Sequence, residues 1–250
     1  MNHSSITDKV VVITGASRGI GRATACFLAA KEARVVLVAR DTKALQEVAD
    51  RIRRNQGHCT VLPGDVSREE NVKNIINQTL NGYGRIDVLI NNAGTGVYGP
   101  LTSVHLEDFE RVIGTNLKGV FLCSKEVIPV MVSQGHGHLI NLASQAGKYG
   151  FLNLAIYSAS KFGVVGFSEA LARELEPYNI RVSCLCPGYV RTDFLEVFPK
   201  TLLEEVVMAE PQDVANQIYR LIISSETGNK IVSLRGLIGR CYKWLTWKLV

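Results

Sequence analysis

A chain of 250 residues can bury a sizeable core while staying within the range of one α/β domain. With 20% charged and 46% apolar residues, it is excluded from the disordered and fibrous classes. The net charge of +5 belongs to the end of the chain: Lys230, Arg235, Arg240, Lys243 and Lys248 meet no acid beyond Glu226, leaving 23 basic against 23 acidic residues elsewhere, a balance that argues against a nucleic-acid-binding face.

Val/Ile-rich runs at 10–14, 35–39, 86–90, 138–142 and 180–185, with a weaker one at 59–62, read as strands. Between them, helical spacing covers about 19–31, 42–55, 68–82, 106–133 and 155–176. Strands apolar on both faces and joined through helices predict a doubly wound parallel sheet, the Rossmann architecture, with ligands beyond the strands' C-terminal ends. No repeat, low-complexity tract or linker interrupts residues 1–233, so a single domain is expected there, followed by a short tail at 234–250.

The first strand runs into Thr14-Gly15-Ala16-Ser17-Arg18-Gly19-Ile20-Gly21, and a helical pattern starts near Arg22. Gly15 permits a tight turn, Gly19 a close approach of backbone to a pyrophosphate, and Gly21 close helix packing, while the helix N-terminus offers unpaired N–H groups to an anion. Three glycines alone can simply form a βα turn; their place on the first strand of a βαβ unit is what points to a dinucleotide. At the end of the second strand, where a carboxylate would select NAD, the chain has Ala39 followed by Arg40. Arg18 and Arg40 can converge on a 2′-phosphate, which predicts NADP(H). Surface solvation is the bland alternative for either arginine, and Asp41 is a partial counterargument.

Farther along, Asp65-Val66 follows the third strand, Asn91-Asn92-Ala93-Gly94 the fourth, and Pro187-Gly188 the sixth. Strand 138–142 leads to Ser144, and the next helix carries Tyr157-Ser158-Ala159-Ser160-Lys161, with Tyr157 and Lys161 one turn apart on one face. A phenol titrates near 10, so base work near neutrality needs a lowering of roughly 3 units, about 4 kcal/mol, expected from the Lys161 cation and an oxidised nicotinamide. Ser144 can donate to a carbonyl oxygen as charge develops there, and Tyr157 can supply the proton. Taken singly, Tyr157 fits a core aromatic and Ser144 a helix cap; the joint spacing is what singles them out.

With TGxxxGIG, NNAG, a serine thirteen residues before YxxxK, and PG in order, the chain resembles the short-chain dehydrogenase/reductase family over roughly residues 9 to 193, and among its members the NADP-preferring 3-oxoacyl-carrier-protein reductases. The resemblance implies a tetrad of Asn116, Ser144, Tyr157 and Lys161, with Asn116 holding a water that relays protons to the lysine. It also implies that Asp65 and Val66 border the adenine, that Asn92, Ala93 and Gly94 line the ribose and the sheet's cofactor edge, and that Pro187, Gly188, Val190 and Thr192 contact the nicotinamide half. A lid over 188–210 is implied as well, and its Phe194, Leu195, Val197, Phe198, Leu202, Leu203, Val206 and Val207 suit an apolar or lipid-like ketone, such as a 3-oxoacyl group, or equally pack the lid onto the body.

The six cysteines have no CxxC spacing and the five histidines no HExxH, so no metal site is expected; His136-Gly-His138 reads as a polar turn. Without a signal-peptide pattern or an apolar run of about 18 residues, the cytoplasm is the expected compartment. The Asp-Gly-Gly turn near the end of many relatives is missing. Instead 230–234 suits a last strand, and Leu234, Leu237, Ile238, Cys241, Leu245 and Leu249 form a helical stripe beside Arg240, Lys243, Trp244 and Trp247. Such a tail can make peripheral membrane contact, cover a neighbouring subunit or close the pocket. The resemblance implies a homodimer or higher homo-oligomer through 106–133 and 155–176, and the altered C-terminus puts the tetramer of many relatives in doubt. The reading is an NADP(H)-dependent oxidoreductase of carbonyl and alcohol groups, with a catalytically silent NADP-binding sensor or scaffold as its alternative.

Overall fold

A computed structural model describes residues 5–198 and 208–224, and the backbone of 230–233. Seven parallel strands form one sheet in the order β3-β2-β1-β4-β5-β6-β7: β1 (Val10–Thr14), β2 (Arg34–Ala39), β3 (His58–Pro63), β4 (Val88–Asn91), β5 (Gly137–Leu142), β6 (Ile180–Cys186) and β7 (Lys230–Ser233). The chain starts at β1, winds outward to β3, then crosses back to β4 and winds the other way. This reversal opens a crevice beyond the ends of β1 and β4.

Strand β1 is buried along its whole length because helices cover both sheet faces. One face packs on α1 (Gly19–Ala29), α2 (Thr42–Arg54) and α7 (Pro211–Ile223), with Ile13, Leu28, Leu37, Leu45 and Ile218 at the core. The other packs on α3 (Glu69–Tyr83), α5 (Gly119–Gln134) and α6 (Ala155–Leu175), where Ile86, Leu89, Met131 and Leu139 are enclosed. In α2 the apolar positions Leu45, Val48, Ala49 and Ile52 recur at helical spacing and are the buried ones, while Asp41 caps the helix by accepting from the Ala44 N–H at 3.0 Å.

Several boundaries depart from the sequence reading. Helix α1 begins at Gly19 rather than near Arg22, because Arg22 is the residue whose N–H reaches the Arg18 carbonyl at 3.1 Å, leaving the preceding turn's N–H groups without intrahelical partners. The expected single helix 106–133 is α4 (Leu106–Ile113), one wide π-helical turn (Gly114–Lys118) and α5. Helix α7 is absent from the sequence reading altogether. Its signal was Glu210-Pro211-Gln212-Asp213: Pro211 opens the helix, and the Asp213 carboxylate accepts from the Glu210 N–H at 2.9 Å. Phe27 meets Tyr219 edge-on at 5.6 Å where α7 packs on α1.

His136 and His138 do not make a simple polar turn. His138 lies within β5, buried, with Nε2 2.9 Å from the Ser183 hydroxyl, whereas His136 faces the buried Asp87 carboxylate at 3.1 Å. No helix among the described residues is long and apolar enough to cross a membrane. The expected tail at 234–250 and the lid residues Leu202, Leu203, Val206 and Val207 lie outside the described residues.

Candidate active site

The Gly-rich turn is built for close approach. Gly15 and Gly19 have φ of +66° and +54°, which L side chains rarely adopt. A Cβ at Gly21 would stand 2.1 Å from the Gly15 carbonyl oxygen, and one at Gly15 2.9 Å from Ala93 Cα, so both positions need glycine for space. The turn is clamped from β4. Asn92 Nδ2 donates to the carbonyls of Thr14 (2.9 Å) and Gly15 (3.1 Å), while Thr14 Oγ1 accepts from the N–H groups of Asn92 and Ala93, each at 3.0 Å. Asn92, assigned by resemblance to the ribose, therefore spends its amide nitrogen on holding the turn. Thr14, which the sequence reading left without a role, is its counterpart.

A cleft of about 690 Å³ runs from this turn across the C-terminal ends of the strands. Of the sequence-predicted cofactor residues, Gly15, Ser17, Arg18, Gly19, Ile20, Arg40, Asp65, Val66, Asn92, Ala93, Gly94, Pro187, Gly188, Val190 and Thr192 all line it, as do Ser144, Tyr157 and Lys161. Gly21 lies behind the wall as a packing residue. Asn116 is also off the lining; it is wholly buried.

Just past β3, burial pushes the Asp65 carboxyl up, but hydrogen bonds from the Ser67 hydroxyl and N–H, with the Arg40 and Arg68 charges nearby, hold it below the usual carboxylate range. Asp41, the argument against a 2′-phosphate, caps α2 and also lines the cleft. Arg40 lines the cleft, and Arg18 is exposed, 3.9 Å from Asp193. The glycine cradle, the free N–H groups at the start of α1 and the two arginines fit a dinucleotide with its phosphates at the turn.

At the other end, Ser144 stands just past β5 and caps a short turn by accepting from the Ala146 N–H at 3.1 Å. The same hydroxyl thus caps the turn and belongs to a residue that lines the cleft. Tyr157 and Lys161 share a face of α6, with Lys161 Nζ 5.8 Å from the Tyr157 ring centre. Nζ donates to the Leu142 carbonyl at 2.8 Å.

The expected electrostatics are reversed. Burial pushes the Tyr157 phenol up to about 12, with the Ser144 hydroxyl beside it acting in the lowering direction. Burial lowers Lys161 to about 8, a change that the nearby Cys184 and Cys186 sulfurs oppose. Desolvation is the largest cause for both groups, so the phenol is not made acidic here.

Asn116 sits in the π-helical turn. Its Oδ1 accepts from the Thr95 N–H at 2.8 Å, and its Nδ2 donates to the Thr95 carbonyl (2.9 Å) and to Ser160 Oγ (3.0 Å). Ser160 Oγ in turn donates to the Tyr157 carbonyl at 2.7 Å. Asn116 therefore ties the loop after Gly94 to the helical turn carrying Tyr157 and Lys161. Ser160 completes that link and was not singled out from sequence; only its place inside YxxxK hinted at it.

Beyond Tyr157 the cleft wall turns aromatic. Phe194 packs on the Tyr157 ring at 5.3 Å, Phe198 on Phe194 at 6.0 Å, and Tyr98 on Phe198 at 5.9 Å. Gly96 leaves the notch that Phe194 fills, since a Cβ there would stand 2.9 Å from its ring.

Comparison with known proteins agrees with this geometry. Residues 9–202 match the model of the short chain dehydrogenase family. The chain belongs to that family. It is 39% identical over 220 residues to a 3-oxoacyl-[acyl-carrier-protein] reductase of Synechocystis sp., covering 86% of this chain and 89% of that protein. The structure of a short-chain type dehydrogenase/reductase from Mycobacterium marinum superposes with a TM-score of 0.86 at 33% identity, covering 93% of this chain and 96% of the other. A metagenomic short-chain oxidoreductase solved in complex with NADP gives a TM-score of 0.80 at 35% identity, covering 92% and 99%. This family member is an oxidoreductase that uses a nicotinamide cofactor and acts on carbonyl or alcohol groups.

Proposed function

We propose that the protein is an NADPH-dependent carbonyl reductase of apolar or lipid-like ketones, of which a 3-oxoacyl group is one example. The observation that carries this reading is the grouping of Ser144, Tyr157 and Lys161 in one cleft with the Gly-rich turn, Arg18 and Arg40, the Phe194–Phe198 wall standing beside Tyr157. Bound NADPH supplies the hydride. Tyr157 gives its phenolic proton to the carbonyl oxygen, and Ser144 donates a hydrogen bond to that oxygen as charge builds on it. Lys161, still a cation at neutral pH with a value near 8, stabilises the phenolate left behind. Asn116 positions the Tyr157 turn through Ser160.

The preference for NADPH rests on Ala39 in place of an acid at the end of β2 and on Arg18 and Arg40 in the cleft lining, against Asp41, which lines it too. Each guanidinium on a phosphate contributes about 1.5–3 kcal/mol, so the pair favours NADPH over NADH at least tenfold in kcat/KM. A ketone panel followed by NADPH absorbance tests the reaction, and repeating it with NADH tests the cofactor. Equal kcat/KM values for the two would remove the cofactor assignment. No turnover across the panel with NADPH bound would leave the silent sensor, against which the complete tetrad argues.

The same reading places a homodimer on α4, α5 and α6, whose Leu106, Phe109, Phe121 and Phe162 are exposed apolar residues. Light scattering returning the mass of one chain would reject it. Residues 234–250 are read as a basic amphipathic segment at a membrane interface or against protein, and the main body as a cytoplasmic enzyme. Liposome pelleting of the full chain against one ending at Ser233 separates the two: equal soluble fractions reject membrane contact.

A further inference from the structure

The apolar wall beside Tyr157 continues to the surface through two loops, residues 95–104 between β4 and α4 and residues 148–154 ahead of α6. The loops are tied together: the Gly99 N–H donates to the Asn153 carbonyl at 2.9 Å, and Asn153 Nδ2 donates to the Tyr98 hydroxyl at 3.1 Å. Between Asp87 and His105, and again between Lys148 and Lys161, the sequence carries no charged residue. On these loops Leu101 is 63% exposed and Leu152 86%. Tyr149 stands at the opening itself, since it both lines the cleft and is exposed. Leu152 lies between Phe151 and Leu154, which line the cleft and belong to the apolar cluster around Tyr157. An apolar path thus runs from the exposed leucines to the reacting phenol. Leucines this exposed on two joined, uncharged loops form a contact surface, whereas single exposed apolar residues are ordinary.

The end of the chain indicates what this surface meets. In the register of β6 and β7, Ser233 stands opposite Cys186, and Pro187, the residue after Cys186, lines the cleft. The chain therefore leaves β7 at the edge of the sheet on which the cleft opens. Beyond Ser233 the sequence carries Arg235, Arg240, Lys243 and Lys248, no acid, and the tryptophans Trp244 and Trp247. A second copy seated on the loops by a twofold contact would bring two such cationic segments to one interface. An anionic lipid surface accepts the leucines and the cations together. We propose that the opening of the cleft is a docking surface for an anionic lipid bilayer, with Leu101 and Leu152 entering the interface and the cleft facing the membrane. This rests on the apolar-ketone reading of the cleft and adds how such a substrate arrives: a water-insoluble ketone passes from the bilayer to Tyr157 along the apolar path.

Sedimentation of the NADPH-loaded full chain with vesicles tests this, comparing equal parts phosphatidylcholine and phosphatidylserine with phosphatidylcholine alone. The wild-type protein is expected to bind the anionic vesicles roughly tenfold or more tightly than the neutral ones. Leu101→Ser combined with Leu152→Ser is expected to weaken that binding roughly tenfold or more, while NADPH affinity and the reduction of a short, water-soluble ketone stay unchanged. Reduction of a long-chain ketone dissolved in the vesicles should fall with the binding. Either single substitution gives a smaller loss of the same kind and serves should the double variant fold poorly. Absence of vesicle binding by the wild type overturns the proposal, as does equal binding to the two vesicle types. Binding that the variants keep in full also overturns it, by assigning the contact to residues 234–250 alone. So does a solution mass that drops from two chains to one in the variants, which gives the loops to a second copy. If leucine-dependent binding is found and no ketone of either kind is reduced, the docking surface stands and the reductase reading falls; reduction of the short ketone without vesicle binding does the reverse.

Discussion

Replacing Lys161 by methionine tests the electrostatics on which the chemistry depends. With burial holding the Tyr157 phenol at about 12, base work near pH 7 requires a lowering of about 5 units, or about 7 kcal/mol. Lys161 Nζ lies 5.8 Å from the ring centre. At an effective dielectric of about 20, unit charges that far apart interact by about 3 kcal/mol, or about 2 pKa units. The balance falls to the Ser144 hydrogen bond and the positive ring of an oxidised nicotinamide. Lys161→Met should therefore lower kcat/KM for alcohol oxidation about 100-fold at pH 7, and move the rising limb of the rate against pH upward by about 2 units. Because Lys161 itself loses its charge above about 8, the deficit should shrink as the medium becomes more alkaline. Initial rates of the wild type and the variant across that range read both effects. A deficit of constant size at every pH, with the limb in its original place, would show that Lys161 only positions its neighbours and would refute the electrostatic reasoning.

Ser144→Ala removes a donor from the developing oxyanion and should cost about 10²–10³ in kcat with little change in KM, measured by steady-state ketone reduction; a loss confined to KM would take Ser144 out of the transition state. Gly21→Ala introduces a Cβ 2.1 Å from the Gly15 carbonyl oxygen, so thermal denaturation should show a loss of about 1–3 kcal/mol together with weakened NADPH binding, and an unchanged melting temperature would contradict the packing described. Burial holds His138 well below the usual histidine value, with the Arg181 and Lys9 charges adding to the effect. For a base depressed in the folded state, the unfolded chain takes up the proton first. Stability is then complete above about pH 6.5 and falls as pH drops, by at most about 1.4 kcal/mol per unit for this group. Urea unfolding at mildly acid and neutral pH should show a shallower decline in His138→Gln than in the wild type; identical slopes would acquit His138.

Local spacing made the site's inventory readable. The Gly-rich turn, the Tyr157–Lys161 pair and the strand-end motifs each depend on residues a few positions apart, and parallel strands wholly buried in β1 and β4 carry an unmistakable apolar run. Helix α7 escaped because its cap uses Glu210 and Asp213 in place of the more familiar serine or threonine. The wide turn at Gly114–Lys118 escaped because helical periodicity continues through a single π-turn nearly undisturbed.

From its own sequence, then, this protein settles which groups it brings to the cleft and in what order along the sheet, because those follow from chain connectivity and from contacts between near neighbours. Only the tertiary structure decided how they are used. Asn92 clamps a turn 77 residues away, Ser160 bridges Asn116 to Tyr157, and the Cys186 carbonyl, 41 residues on, holds the Gln145 side-chain nitrogen. The direction of the Tyr157 shift belongs to the same class. Desolvation depends on everything packed around a group, and residues four apart on a helix carry no record of how deeply the fold buries them.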